Sequence, residues 1–173
     1  MSGAQEIERT VDVIIEDGVR PFMEAELAGA CEWAATEEGT ERFVSELTGF
    51  VLDEEGVLRS TELSVSFVDP GRIGQLNAEF RGVDRPTDVL SFPCDDPDEV
   101  PEGETVFLGD IVVAPEVVLP QSREFGNTYE SELSLLLTHG VLHLLGYDHI
   151  EDDEAEEMEA RERAILAKRG IER

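Results

Sequence analysis

The stretch from Ser131 to Leu145 constrains the fold most. It reads as a strong helix, and Leu142, Leu144 and Leu145 are expected core residues beneath it. A helix of that character must be covered on its apolar side, so the rest of the chain has to fold around it. It also carries His139 and His143. His149 follows soon after, and these are the chain's only three histidines.

His139 and His143 lie four apart. On a helix they project from one face, with Cβ atoms roughly 6 Å apart, close enough for two imidazoles to share one ion. Gly146 supplies the residue that ends such a helix and lets the chain turn back. His149 can then arrive as a third nitrogen. Three neutral imidazoles with a fourth position open describe a catalytic zinc site, whereas a structural site is normally closed by a fourth protein ligand. The spacing i, i+4, i+10 with glycine at i+7 matches the metal frame of the metzincin peptidases. Those enzymes place a glutamate directly after the first histidine as general base. Here that position is Gly140, so the frame is present and the peptidase base is missing.

The remaining elements read as a mixture. Val11–Ile15 is a short β-branched strand, and Pro21 opens an amphipathic helix running to about Glu38. Phe43, Val44 and Leu47 could extend a helix, while Phe50-Val51-Leu52 before Asp53-Glu54-Glu55-Gly56 reads as a strand and turn. Leu63, Val65 and Phe67 alternate with Ser64 and Ser66, a strand by period two. Asp69 as N-cap and Pro70 at the first helical position open a helix to about Phe80. Val89–Phe92 is a strand stopped by Pro93, residues 94–104 form an exposed acidic loop, and Val106–Val113 is a strand. Helices follow from Pro115 to about Phe125, from Ser131 to Leu145, and from Glu154 to Arg169. The expectation is one α+β domain over residues 1–173, with about four strands of mixed direction, helices packed on them, and the metal site on a C-terminal helix.

The 173 residues hold 41 Asp or Glu against 13 Lys or Arg, a net charge of −28. The acids are spread along the whole chain, and Lys168 is the single lysine. Acidity throughout reads as solvent adaptation of the kind halophilic proteins use, with a surface for basic partners as the alternative. An apolar share of 40% is enough for a core. No apolar run reaches the roughly 18 residues of a membrane span, and no positively charged start precedes an apolar stretch, so neither a span nor a secretory signal is expected. Cys31 and Cys94 are too few and too distant for a disulfide framework, so a reducing cytoplasm is expected.

The run His139-Gly140-Val141-Leu142-His143-Leu144-Leu145-Gly146-Tyr147-Asp148-His149 resembles the signature of the YbeY family, bacterial endoribonucleases of ribosomal RNA maturation. Phe67-Val68-Asp69, Leu76-Asn77, the block from Phe80-Arg81 through Asp84-Arg85-Pro86-Thr87-Asp88-Val89-Leu90-Ser91-Phe92-Pro93, Leu108-Gly109-Asp110-Ile111 and Met158 agree with it. The resemblance spans about residues 60–168 and carries little of the first 60. It implies a cytosolic metal-dependent endoribonuclease acting on single-stranded RNA, chiefly at the 3′ end of 16S ribosomal RNA, and in ribosome quality control. It maps the zinc ligands onto His139, His143 and His149, and the family's functional arginine onto Arg81.

Zinc can act as Lewis acid or as a source of hydroxide, while a guanidinium meets charge growing on phosphate oxygens. Arg81 is the candidate for the second task. Asp110 and Asp148 are secondary candidates, either to accept the other N–H of a ligand imidazole or, for Asp110, to orient water. Asp88 and Ser91 shape a turn and a strand. Phosphate contacts need cations, so Arg72, Arg81 and Arg85 are expected to line a locally positive cleft on a negative shell. The competing readings are a zinc peptidase-like hydrolase and a non-catalytic ribosome-assembly factor with a structural metal. Ribosomal RNA and small-subunit proteins are the expected partners.

Overall fold

The computed structural model describes residues 5–148 and 150–172. In chain order the elements are β1 (Arg9–Ile15), α1 (Arg20–Ala25), α2 (Glu37–Glu54), β2 (Thr61–Phe67), α3 (Pro70–Arg81), β3 (Val89–Pro93), β4 (Val106–Val113), α4 (Pro115–Glu124), α5 (Tyr129–Leu144) and α6 (Asp152–Lys168). The four strands form one sheet in the order β1-β2-β4-β3. β1, β2 and β4 run parallel, and β3 pairs antiparallel with β4 at one edge. The α+β class and the mixed four-stranded sheet agree with the sequence expectation.

Two expected elements are corrected. The helix anticipated from Pro21 to Glu38 is broken into α1 and two short 3-10 turns, Leu27–Gly29 and Glu32–Ala35. A fresh helix then starts at Glu37, because the Thr36 side chain accepts from the Gly39 N–H and satisfies a first-turn donor. The strand anticipated at Phe50-Val51-Leu52 is instead the end of α2. Val44, Leu47, Thr48, Val51 and Leu52 are buried at a repeating three-and-four spacing. Burying that continuous stripe outweighs the local β preference of three residues.

Register decides what each sheet face presents. Val13 pairs with Val65 and Val65 with Ile111, so these side chains share one face. Leu63, Phe67, Leu108 and Val113 join them in the main core, under α2, α5 and α6. The second face carries Ser64, Asp110, Ser66 and Val112 in register, continued by Phe92 and Leu90 on β3. Ile73 of α3 covers part of it through a small cluster with Val68, Leu90, Val112 and Ala114. No helix among the described residues is long and apolar enough to cross a membrane.

α5 lies tight on β4. A Cβ built on Gly140 would come within 2.9 Å of Ile111 Cδ1 and 3.3 Å of both its γ carbons. Glycine after His139 therefore lets the histidine-bearing turn approach the centre of the sheet.

Candidate metal centre

α5 begins with Thr128 as N-cap, its hydroxyl accepting from Ser131 N–H, and Glu130 and Glu132 follow in the first turn, where negative charge suits the helix dipole. Its inner side is packed by Leu133, Leu137, Val141 and Leu144. His139 and His143 project side by side from a partly buried stripe. Their rings meet edge to face at 84°, with centroids 4.5 Å apart and Nε2 atoms 3.0 Å apart.

Each imidazole has its other nitrogen engaged. His143 Nδ1 donates to the Tyr147 carbonyl at 2.9 Å. A carbonyl only accepts, so His143 carries its proton on Nδ1. His139 Nδ1 donates to the Glu162 carboxylate of α6. Both rings therefore turn Nε2 toward one another's neighbourhood as acceptors. Two imidazoles on one tetrahedral zinc, at about 2.0–2.1 Å each, would hold their nitrogens roughly 3.3 Å apart. The observed pair is within a few tenths of an ångström of that arrangement. These two imidazoles suit part of a zinc donor set, and their engaged Nδ1 atoms are the kind of outer hydrogen bond that metal-binding histidines use; among the described residues no third ligand joins them.

The turn after α5 is held from afar. Gly146 takes φ 103°, a left-handed conformation that glycine adopts without strain, and reverses the chain. Tyr147 then reaches α2, its hydroxyl donating to Glu55 at 2.7 Å, and Arg161 of α6 donates to the same carboxylate at 2.8 Å. Burial, and next the Glu55 carboxylate, push the Tyr147 phenol above its ordinary range. The expected third ligand, His149, lies outside the described residues. Asp148, beside it, is exposed.

Arg81 ends α3 and donates from its guanidinium to the Ser91 carbonyl at 2.9 Å, on the edge strand β3. Ser91 pairs with Ile111, and Ile111 is the side chain that meets Gly140. Arg81 is thus anchored at the strand level of the His139 turn. Ser91 contributes this main-chain acceptor as well as shaping the strand.

Asp110 stands elsewhere. It faces the second side of the sheet, away from α5, and accepts from the Ser64 hydroxyl. Its groove is lined by Ile14, Arg72, Phe80 and Phe92. Asp110 does not orient His139 or His143, whose Nδ1 atoms are engaged by Glu162 and by the Tyr147 carbonyl. Asp88 caps its own strand by accepting from Val89 N–H, and its other oxygen accepts from Gln121. Gln121 and Asn127 also donate to the buried Glu132.

The single positive cleft expected from Arg72, Arg81 and Arg85 is corrected as well. Arg72 and Arg81 are nine residues apart on α3, about half a turn out of phase. Arg72 pairs with Glu16 at 3.8 Å over the second sheet face, and Arg81 turns to the β3 edge.

Glu162 and Tyr147 are the two contributors that the spacing of the histidines did not reveal. For Glu162 a signal existed. It occupies the inner stripe of α6 with Met158, Ile165 and Leu166, where an acid is out of place unless paired.

A family model described as Endoribonuclease YbeY matches residues 30–170. Among similar proteins, the Endoribonuclease YbeY of Rhodopseudomonas palustris is 44% identical over 153 residues, covering 88% of this chain and 80% of the relative. That of Clostridioides difficile is 50% identical over 124 residues, 70% of this chain and 80% of the relative. The solution structure of TM1509 from Thermotoga maritima matches with a TM-score of 0.57 and 31% identity, covering 92% of this chain and 88% of that one. With the family model covering most of its length and relatives at this level of identity, the chain belongs to the YbeY family.

Proposed function

We propose that this chain is a zinc-dependent endoribonuclease that cuts single-stranded RNA, working in the cytoplasm on 16S ribosomal RNA 3′-end maturation and ribosome quality control. Family membership supports the endoribonuclease class, the relatives being named for that activity. The observation that carries the metal reading is the pair of Nε2 atoms 3.0 Å apart, on rings whose Nδ1 atoms are engaged by Glu162 and by the Tyr147 carbonyl. His139, His143 and His149 would hold the ion. Zinc bound there supplies Lewis acidity toward a phosphodiester.

The chain's own residues do the rest. Arg81 is held at one guanidinium nitrogen by the Ser91 carbonyl, which leaves donors for two oxygens of a phosphate. Their charge grows during in-line displacement, and a preplaced guanidinium meets it without reorganising. The Asp110 carboxylate, on the other sheet face, is left out of this scheme. A peptidase reading lacks support, since Gly140 stands where that chemistry requires a carboxylate base and lies against Ile111.

The test joins metal analysis to cleavage of a short end-labelled single-stranded RNA, with and without chelator, at several salt concentrations. The expected result is bound zinc, loss of cleavage on chelation and recovery on adding zinc back. His143→Ala should lose both metal and cleavage. Full cleavage by metal-free protein would overturn the mechanism. A fourth protein ligand on the ion would favour a structural metal in an assembly factor.

A further inference from the structure

We infer that Glu162 is a positioning residue for the metal centre: from α6 it fixes the tautomer and rotation of His139 and raises the donor strength of its Nε2. The inference rests on the zinc reading above and adds a residue from outside the histidine motif.

Three observations carry it. Glu162 is 7% exposed, while the other acids of α6 lie on its outer side. Burying a carboxylate among Met158, Ile165 and Leu166 is costly unless a partner compensates it. The partner is His139 Nδ1. An ionised carboxylate offers only acceptors, so the shared proton sits on Nδ1 and the Nε2 lone pair points at the neighbouring ring. His143 receives the same service from a neutral carbonyl. The two imidazoles therefore differ: His139 is backed by a charge and His143 by a dipole. A backing carboxylate makes the ring the stronger donor. The arrangement also ties α6 to the centre, because the helix supplies the group that prepares His139 for the ion. Binding that favours the prepared ring must, by linkage, favour the docked helix.

The experiment compares the parent protein with Glu162→Ala and Glu162→Gln by two readouts. The first is zinc affinity, from competition with a chromophoric chelator. The second is ring-nitrogen NMR of His139 in metal-free protein, which reports the tautomer directly. Alanine removes both acceptor and charge, so affinity should fall about 100-fold, and glutamine keeps an acceptor oxygen, so the fall should be nearer about 10-fold. The Nδ1–H form should persist in the parent and in Glu162→Gln, and give way to Nε2–H in Glu162→Ala. Met158→Ala loosens α6 packing while keeping the Glu162 carboxylate, and should lower thermal stability while leaving zinc affinity near the parent value.

Parent-like zinc affinity in Glu162→Ala, or an unchanged tautomer there, overturns the inference. If Glu162→Ala does not fold, Glu162→Gln decides, and parent-like affinity in it overturns the role. A fall in affinity equally deep in Met158→Ala would mark Glu162 as merely structural and also overturn it. A parent protein that binds no zinc, yet shows His139 locked in the Nδ1–H form, fails the metal reading instead and is told apart by that combination.

Discussion

The side chains around the histidines differ most in what they are tied to. Arg81 is anchored to a main-chain carbonyl on an edge strand, so its loss should leave the imidazoles undisturbed. Arg81→Ala is expected to retain its zinc content and to cut RNA about 10–1000-fold more slowly, the range for removing a donor that meets transition-state charge. Single-turnover cleavage beside metal analysis checks it, and loss of zinc would place Arg81 in a structural role. The two thiols offer a second contrast. Burial raises the Cys31 thiol above its ordinary range, which suppresses the reactive thiolate, whereas Cys94 is exposed. A thiol reagent at pH 8 should therefore label one site quickly, and Cys94→Ser should remove that fast phase. At this scale the histidine pair was legible because helical spacing alone brings i and i+4 together. For Glu162 only the misplaced acid on the inner stripe of α6 was legible; its partner was not, because His139 lies 23 positions away and meets it only once α6 has packed.

Elements show where local signals compete. Strands β1 and β2 alternate cleanly, and their register follows the side that must be buried. At the end of α2 the β-branched and aromatic residues point one way locally, while a helical stripe begun at Val44 points the other, and core burial decides. The contact between α5 and β4 can be tested by its glycine. Alanine at position 140 gains about 1 kcal/mol of helix propensity, yet its Cβ would press on a fully buried, stiff Ile111, and overpacking costs about 1–3 kcal/mol. Gly140→Ala should therefore be neutral to destabilising by up to about 2 kcal/mol in urea unfolding. Adding Ile111→Val removes the nearest atom, Cδ1, so the pair should cost less than the sum of the single changes. Strict additivity would show that helix and strand do not press on each other there.

The whole molecule is governed by its charge. Thirteen cations cannot neutralise 41 acids, and the surplus repels itself at low ionic strength. The Debye length shrinks from about 10 Å at 0.1 M salt to about 3 Å at 1 M. Thermal midpoints should rise steadily over that range, by roughly 2–4 °C for each kcal/mol of repulsion relieved in a chain of this size. Scanning calorimetry in potassium chloride checks it, and a flat response would remove the halophilic reading. RNA binding should strengthen over the same interval, opposite to the usual trend for a basic nuclease. The chain alone determined the α+β class, the order of strands and helices from residue 61 onward, the paired histidines and the excess charge, because these follow from short-range periodicity and from counting. Only the tertiary structure decided which sheet face each acid occupies, that Arg72 and Arg81 part company, and that α6 brings a carboxylate to His139. Those outcomes depend on strand register and helix docking, where side chains distant in sequence meet through burial that no local pattern encodes.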